Sequence, residues 1–277
     1  MTTAQSARTT GLIRNDLTPN IASELQADVN ELINGTYSEE IRSLLEQRGV
    51  VAFRQLNLTD EQQIAFTKTL SSTSQDFAIT KITMDPLENP KADYIKGAFF
   101  WHIDGTMIDI PIFASIMSSR RLSETGGRTE FCNTYAAYEA LSDEDKALLE
   151  NLKVVHMFET SQFYVKPEPS YEELKAWQEY QPNTLPLVWT HRSGRKSLVL
   201  GSTASHVVGM DKRESTALLV RLRDWATQPQ FSYSHEWQLG DLVIWDNTGT
   251  MHRATEYPLD SGRLMYRTQI AGDEPFA

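Results

Sequence analysis

The sequence predicts a mostly-β domain, a sandwich or barrel with helices at its margins, and three observations support this fold class. The last third of the chain carries several short apolar strands at close spacing, which is typical of sandwiches and barrels. No linker or internal repeat divides the 277 residues, so residues 1–277 are assigned to a single domain. Hydrophobic residues make up 40% of the chain and charged residues 23%, which provides for a sizeable core.

The individual elements follow from the spacing of apolar residues and from helix-capping signals. Helices are predicted at 21–33, at 38–48, at 59–70, after the capping residue Ser142, and at 212–225. Strands are predicted at 50–53, 113–118, 153–157, 185–191, 197–200, 231–235, 241–245, 251–255 and 263–270. Residues 71–97 contain two prolines and show no clear period, so they are expected to be mostly loop.

Composition narrows the range of functions. A net charge of −11 makes affinity for nucleic acid or an anionic membrane surface unexpected. Cys132 is the only cysteine, which excludes a disulfide within the chain and a thiolate metal cluster. Residues 1–14 are polar, and no apolar stretch approaches the roughly 18 residues that span a bilayer. The sequence therefore predicts a cytoplasmic protein that acts on a small molecule.

The segment 159–186 differs from its surroundings, because four prolines lie among acidic and aromatic residues. Long irregular segments inside a domain are often lids or binding loops, so this one is predicted to be an irregular lid over a substrate. Residues for contact with the substrate are the aromatic side chains and one lysine of the segment: Phe163, Tyr164, Lys166, Trp177 and Tyr180. The alternatives are a surface excursion without function and a segment that packs against a neighbouring subunit.

Two short motifs carry the candidate metal ligands. His102 and Asp104 are two residues apart, and in a strand such residues point to one face. His252 follows a predicted apolar strand and can supply a third ligand. Two histidines and a carboxylate make the facial triad of non-haem Fe(II) oxygenases, which leaves open positions for a 2-oxo acid and dioxygen. Each motif alone is weak evidence for a metal site, but the three residues together indicate an iron site.

A second group of residues suits the far carboxylate of 2-oxoglutarate. Arg263 follows His252 by eleven residues, and Arg267 is four residues further on. On one strand this even spacing places both arginines on the same face. Arginine binds a carboxylate through two parallel hydrogen bonds. Thr129 can add a hydroxyl donor, so the three residues are the predicted cosubstrate site.

With these motifs together, the chain resembles the taurine and 2,4-dichlorophenoxyacetate dioxygenase family over about residues 45–275. The resemblance rests on WHIDGT at 101–106, GGRT at 126–129, TH at 190–191, GR at 194–195, GDLVIWDN at 240–247, HRA at 252–254, the two arginines, and AGDEP at 271–275. It implies a distorted double-stranded β-helix (a jelly roll, cupin-like) flanked by helices. It also implies homodimers or homotetramers.

The resemblance further implies residue roles and a reaction. His102, Asp104 and His252 would bind Fe(II), Thr129 and Arg263 would bind 2-oxoglutarate, and Arg267 would contact the cosubstrate or an anionic substrate group. Oxidation of a substrate C–H bond, most simply hydroxylation, would then accompany release of succinate and carbon dioxide. An acidic small molecule would be the substrate, as Arg267 and the substrates usual in the family suggest.

Some features bear on the substrate, and several alternatives remain open. Phe99 and Phe100 precede the metal motif and are either pocket or core residues. Residues 69–75 lack the Phe-Gly pair and histidine often found in the family, which argues against a taurine-like substrate. The same cofactors also support desaturation, cleavage or rearrangement. A zinc hydrolase with the same ligands and a non-catalytic jelly-roll binding protein are the alternatives of another class.

Overall fold

The computed structural model describes residues 11–89 and 92–276. Most of the polar segment 1–14 and Pro90 of the predicted loop 71–97 lie outside the described residues. The described helices are α1 Val29–Ile33, α2 Ser38–Arg48, α3 Asp60–Leu70, α4 Ala92–Ile95, α5 Thr134–Glu139, α6 Asp143–Leu149, α7 Phe158–Val165, α8 Tyr171–Trp177 and α9 Lys212–Ala226. None of these helices is long and apolar enough to cross a membrane.

Strands dominate the architecture, as the sequence predicts. They are β1 Ile13–Asp16, β2 Ser23–Gln26, β3 Val50–Phe53, β4 Thr80–Ile82, β5 Ile112–Arg121, β6 Thr129–Asn133, β7 Lys153–His156, β8 Asn183–Pro186, β9 Val188–Thr190, β10 Lys196–Leu198, β11 Ala204–Val207, β12 Ser232–His235, β13 Leu242–Asp246, β14 Thr250–Ala254 and β15 Leu264–Ala271. A seven-stranded sheet has the order β1-β2-β3-β13-β5-β15-β4, and a three-stranded sheet has the order β12-β6-β14. A second three-stranded sheet, β11-β7-β8, and a two-stranded sheet, β10-β9, complete the sheets of the described part of the chain.

The seven-stranded sheet and the sheet β12-β6-β14 face each other. Because side chains alternate along each strand, one face of each sheet points toward the other sheet. On the outer face of the seven-stranded sheet, Ile116 and Ile244 pack against residues of the helices α2 and α3, such as Phe66. On its inner face, Trp245 meets Phe131 of the three-stranded sheet, with ring centroids 5.6 Å apart. The candidate metal ligands predicted from the sequence lie between these two sheets.

One of the predicted helices is partly wrong. Residues 21–33 form the strand β2 and then the short helix α1, because Ala22 has a positive φ of 65° and interrupts any helix there. Ser23 and Glu24 pair in parallel with β3. The helix starts only after Asp28, whose carboxylate accepts a hydrogen bond from the Asn30 backbone NH. Pairing with a buried neighbouring strand thus outweighs the apparent helical spacing.

The segment 159–186 is not irregular, which corrects the prediction. It contains nearly all of α7, the whole of α8 and the strand β8. Ser170 caps α8 in a reciprocal capping box with Glu173. Pro167 and Pro169 lie between the two helices, where no helical hydrogen bond is lost. The prolines therefore delimit regular elements and do not prevent them.

Most of the other predicted elements are confirmed with small shifts of their ends, but the single strand predicted at 185–191 is wrong, because β8 and β9 are separate strands of different sheets. The helices predicted at 38–48, 59–70 and 212–225 and the helix after Ser142 are present. Thr59 and Gln62 form the capping box expected of α3. The segment 71–97 is mostly loop but includes β4, the whole of α4 and the start of a short 3₁₀ helix, Lys96–Phe99.

Candidate metal and cosubstrate site

His102, Asp104 and His252 converge between the seven-stranded sheet and the sheet β12-β6-β14. One ligand atom from each residue lies within 4.8 Å of the others. His102 Nε2 lies 3.7 Å from Asp104 Oδ1, and the two imidazole rings have centroids 4.1 Å apart. The backbones of the two histidines exchange hydrogen bonds of 3.1 and 2.9 Å. This reciprocal pairing holds together two residues that are 150 positions apart in the sequence.

The local backbone differs from the strand that the sequence predicts. His102 forms only an isolated bridge with His252, and the chain then enters a turn that contains Asp104. Gly105 in this turn has a φ of +97°, and a Cβ there would meet the backbone nitrogen of Ile112 at 2.9 Å. The two ligands therefore meet through a bridge followed by a tight turn, and not through strand alternation.

The hydrogen bonds of the His102 ring leave one nitrogen available as a metal ligand. Its Nδ1 lies 2.8 Å from the carbonyl oxygen of Phe100, which can only accept a hydrogen bond, so Nδ1 must carry the proton. The lone pair of a neutral ring is then on Nε2, which faces Asp104. An outer hydrogen bond that fixes the tautomer is the usual arrangement for a metal-binding histidine.

The His252 ring is also held in the neutral form. Burial lowers its pKa well below the usual value, and the nearby His102 and Arg267 lower it further, against the opposing effect of Asp104. Its Nδ1 is buried without a hydrogen-bond partner among the described residues. Neutral imidazole is the form that binds a metal ion.

The two oxygens of Asp104 have separate surroundings. Oδ2 accepts hydrogen bonds from Gln269 Nε2 at 3.1 Å, Ser115 Oγ at 3.3 Å and Arg267 Nη1 at 3.4 Å. Burial alone would raise the Asp104 pKa, but Arg267 and the two histidines outweigh it and lower the pKa to about 2. The carboxylate is thus ionised, with Oδ2 engaged by the protein and Oδ1 directed toward His102.

Two residues of the motif at 240–247, Trp245 and Asn247, form a second layer of hydrogen bonds around Asp104. Asn247 Nδ2 donates to Ser115 Oγ at 3.0 Å, and Trp245 Nε1 donates to Asn247 Oδ1 at 2.9 Å. Gln269 Nε2 also lies 3.2 Å from Ser115 Oγ. A chain of side chains therefore runs from the buried Trp245 to Asp104 and orients the carboxylate.

This donor set fits Fe(II). Two imidazoles and one carboxylate are the ligand types of a facial triad, and the three candidate side chains converge on one space. Among the described residues, His252 Nδ1 and Asp104 Oδ1 have no hydrogen-bond partner. Atoms of both side chains are therefore available to a metal ion. Cys132 is buried on β6, outside this set.

Arg263 is a buried cation with unsatisfied donors. It is 4% exposed, its Nη2 donates to the Gly127 carbonyl at 3.2 Å, and its guanidinium lies over the Tyr257 ring at 4.8 Å. Nε has no hydrogen-bond partner, and no described carboxylate pairs with the side chain. Burial lowers its pKa from the usual value. A buried guanidinium without an anion is costly and is suited to receive one.

The structure separates the two arginines and places Thr129 near the first. The strand β15 begins after Arg263 and its register shifts between Leu264 and Met265, so the predicted shared face does not extend to Arg263. Arg267 instead contacts Asp104. Thr129 Oγ1 accepts from Trp237 Nε1 at 2.9 Å, and Trp237 and Arg263 line the same small cavity.

The candidate substrate residues fall into different places. Phe99 packs edge-on against Tyr257, with centroids 5.6 Å apart, and so lies on the side of Arg263. Phe100 contacts Tyr164 at 5.0 Å, which ties the metal loop to α7. Phe163 packs against Trp177 of α8, and no described contact joins it to the triad. Phe99 is therefore near the cosubstrate side, and the Phe100–Tyr164 pair joins the metal loop to α7 of the predicted lid.

Sequence analysis missed four residues that support the site: Ser115, Trp237, Tyr257 and Gln269. Strand alternation could have found Gln269, because it is two residues beyond Arg267 on the same strand. Ser115 pairs directly with Gln269 in the neighbouring strand. Trp237 and Tyr257 lie outside the strands and carry no signal in the sequence pattern.

Replacing Gln269 by leucine is expected to weaken binding of Mn(II) roughly 10- to 100-fold, a typical effect of removing an outer hydrogen bond to a metal ligand. Asp104 would lose its shortest donor while the side-chain volume is nearly kept. Titration of Mn(II) followed by electron paramagnetic resonance of the free ion measures the affinity. The exposed Gln47→Leu on α2 serves as the matched control. An unchanged affinity of Q269L would show that Gln269 does not orient Asp104.

Comparisons with known proteins bear on this site directly. The model of the "Taurine catabolism dioxygenase TauD, TfdA family" matches residues 14–269. The chain is 32% identical to the alpha-ketoglutarate-dependent 2,4-dichlorophenoxyacetate dioxygenase of Cupriavidus pinatubonensis, over 95% of this chain and 98% of the relative. It is 33% identical to an (S)-phenoxypropionate/alpha-ketoglutarate-dioxygenase of Sphingobium herbicidovorans, over 81% of this chain and 82% of the relative.

A solved structure agrees with these relatives. The crystal structure of AAD-2 in complex with Mn(II) and N-oxalylglycine superimposes with a TM-score of 0.83 at 33% identity, over 96% of this chain and all of that chain. The chain is thus an oxidoreductase that depends on Fe(II), 2-oxoglutarate and dioxygen. It belongs to the TauD, TfdA family of dioxygenases. The predicted enzyme class and cofactors are confirmed.

Proposed function

We propose that this enzyme hydroxylates a C–H bond of a small organic acid. The observation that carries this proposal is Arg267, which lies beside the triad with donors to spare. Its Nη1 reaches Asp104 Oδ2 at 3.4 Å, and its Nε is buried without a hydrogen-bond partner. A guanidinium in this position can bind an anionic group of the substrate next to the metal. The relatives named for 2,4-dichlorophenoxyacetate and (S)-phenoxypropionate support an aryloxy or similar carboxylic acid.

Within this proposal the two clusters of residues have distinct tasks. His102, Asp104 and His252 hold Fe(II) on one side, with Gln269 and Ser115 orienting the carboxylate. Arg263 neutralises the far carboxylate of 2-oxoglutarate in a buried position, and Thr129 is a further polar contact near it. When bound, iron and 2-oxoglutarate supply oxidising power through decarboxylation of the oxo acid, with release of succinate and carbon dioxide. The protein contributes placement, charge and exclusion of water.

The proposed lid comprises residues 159–186, and its contacts support a position over the metal loop. Tyr164 of α7 packs on Phe100, whose carbonyl accepts a hydrogen bond from His102 Nδ1. At the other end, Asn183 Nδ2 donates to the carbonyls of Thr106 at 3.2 Å and Ile108 at 3.4 Å. Both ends of the segment are therefore attached to the loop that carries two of the metal ligands.

Closure of this lid predicts protection from proteolysis. Lys175 is exposed in the segment and offers a cleavage site for trypsin, whereas Pro167 blocks cleavage after Lys166. Cleavage there is expected to slow when Mn(II), 2-oxoglutarate and an acid that supports turnover are all present, since closure would restrain the segment. Cleavage after the exposed Lys212 of α9 is the internal reference. Equal rates with and without the acid, at every protein concentration, would contradict a lid.

The proposal also covers the type of fold and the oligomeric state. The two facing sheets support a distorted double-stranded β-helix, since they enclose the triad between them. Homodimers or homotetramers and a cytoplasmic location remain predictions from the family resemblance and the composition. Sedimentation equilibrium of the purified chain tests the first.

The experiment that tests the function is a substrate screen in matched pairs. Each acid, drawn from aryloxyalkanoates, sulfonates and amino-acid derivatives, is compared with a neutral amide of the same skeleton, and succinate release is measured. The acids are expected to stimulate release and their amides are not, because the amides lack the charge that Arg267 recognises. Mass spectrometry separates hydroxylation, which adds one oxygen atom, from desaturation or cleavage. Equal stimulation by acid and amide would contradict an acidic substrate.

A further inference from the structure

An apolar groove between α7 and α8 contains a buried carboxyl group that the proposed oxidation does not use. The groove has a volume of about 590 Å³ and is lined by Met157, Glu159, Thr160, Phe163, Tyr164, Leu174, Gln178 and Ser205. Glu159 is only 7% exposed, and its Oε2 has no hydrogen-bond partner. No basic residue is among the described residues that line the groove. A buried carboxyl oxygen without a partner costs free energy and calls for a ligand or another specific cause.

The walls of the groove are suited to an organic cation. Phe163 and Tyr164 are 40% and 47% exposed, although large aromatic side chains gain most from burial. Their positions are fixed, because Phe163 packs edge-on against Trp177 and Tyr164 packs on Phe100. Aromatic faces attract a cation through their quadrupole, and a carboxylate forms a charge-assisted hydrogen bond with an ammonium group. The groove thus offers both aromatic rings and a carboxyl group for binding an organic cation.

We propose that this groove is a second binding site, for an apolar molecule that carries a protonated amine or amidine. Glu159 accepts a hydrogen bond from the cationic group at the base of the groove. The apolar body of the ligand lies along Met157, Leu174 and the two aromatic rings. The site is separate from the metal triad, whose contacts do not include Glu159. It is connected to the triad only through Tyr164 and Phe100, so the ligand contacts the proposed lid.

Calorimetric titration of the metal-free protein tests this site without any turnover, so the result does not depend on the proposed oxidation. The probes are 4-phenylbutylamine and 4-phenylbutanol, which share one apolar body. The amine is expected to bind more tightly than the alcohol. Glu159→Gln keeps the size of the side chain and removes its charge, and a roughly tenfold or greater loss of amine affinity is expected. Glu172→Gln, exposed on α8, is expected to bind the amine as the wild type does.

Several outcomes would overturn the proposal. Equal affinities of the amine and the alcohol for the wild type would exclude recognition of a cation, whether or not the E159Q variant folds. Amine binding that is unchanged in a folded E159Q variant would exclude Glu159. Self-association of the wild type that E159Q weakens would assign the groove to a basic side chain of a second copy, and sedimentation velocity at several protein concentrations detects it.

Discussion

His252→Ala is expected to reduce 2-oxoglutarate turnover to background while the protein stays folded. The imidazole is one of three side chains that converge within 4.8 Å, and two remaining protein ligands hold a divalent ion poorly. Its ring also packs between Phe131 and Trp245, so a modest loss of thermal stability is expected as well. Succinate release with added Fe(II) measures the turnover, and His102→Ala is expected to behave in the same way.

The matched control is His206→Ala, because His206 is exposed on β11 and outside the triad. This variant is expected to keep the activity and Mn(II) affinity of the wild type. Circular dichroism and thermal unfolding establish that each variant is folded. Near-normal succinate production by folded H252A or H102A protein would contradict the assignment of the metal ligands.

Arg263→Ala is expected to raise the apparent requirement for 2-oxoglutarate by a large factor. The guanidinium is buried without an acidic partner, so the far carboxylate of the cosubstrate would be its counter-ion. Loss of a charged contact to a buried carboxylate costs about 2–5 kcal/mol, which corresponds to roughly a 30-fold to several-thousand-fold change. Succinate release as a function of 2-oxoglutarate concentration measures the change.

The Arg263→Ala variant is expected to stay folded. Removing a buried cation also removes its desolvation penalty, so the free energy of unfolding is expected to change much less than the affinity for the cosubstrate. Arg121→Ala is the control, since Arg121 pairs with Leu264 across the strands, is exposed and contacts Glu88. An unchanged 2-oxoglutarate requirement of R263A would move the carboxylate contact to another residue, with Arg267 the first to test.

Sequence reasoning can select candidate residues where a motif specifies chemistry, but it failed where tertiary contacts determine the local geometry. His102, Asp104 and His252 could be selected because their residue types and order match a known ligand set. Their actual meeting depends on backbone hydrogen bonds between His102 and His252 and on the turn at Gly105. Neither feature has a signature in the spacing of apolar residues, so the strand predicted through the first motif was wrong.

Misplaced elements have a similar cause. Residues 21–33 carry a helical spacing, but pairing of β2 with the buried strand β3 determines the outcome. In 159–186 the prolines were given too much weight, because they lie at the ends of elements and the capping box of Ser170 starts a helix between them. The strands of the last third were predictable because each has one apolar face and a turn signal beside it.

The most direct test of the account is the visible absorption of the wild-type protein under anaerobic conditions. Chelation of 2-oxoglutarate to iron held by His102, Asp104 and His252 is expected to produce a weak visible band when both Fe(II) and the oxo acid are added. The band is expected to be absent in H252A and to require much more 2-oxoglutarate in R263A. The absence of any band in the folded wild type at saturating Fe(II) and 2-oxoglutarate would contradict the proposed site.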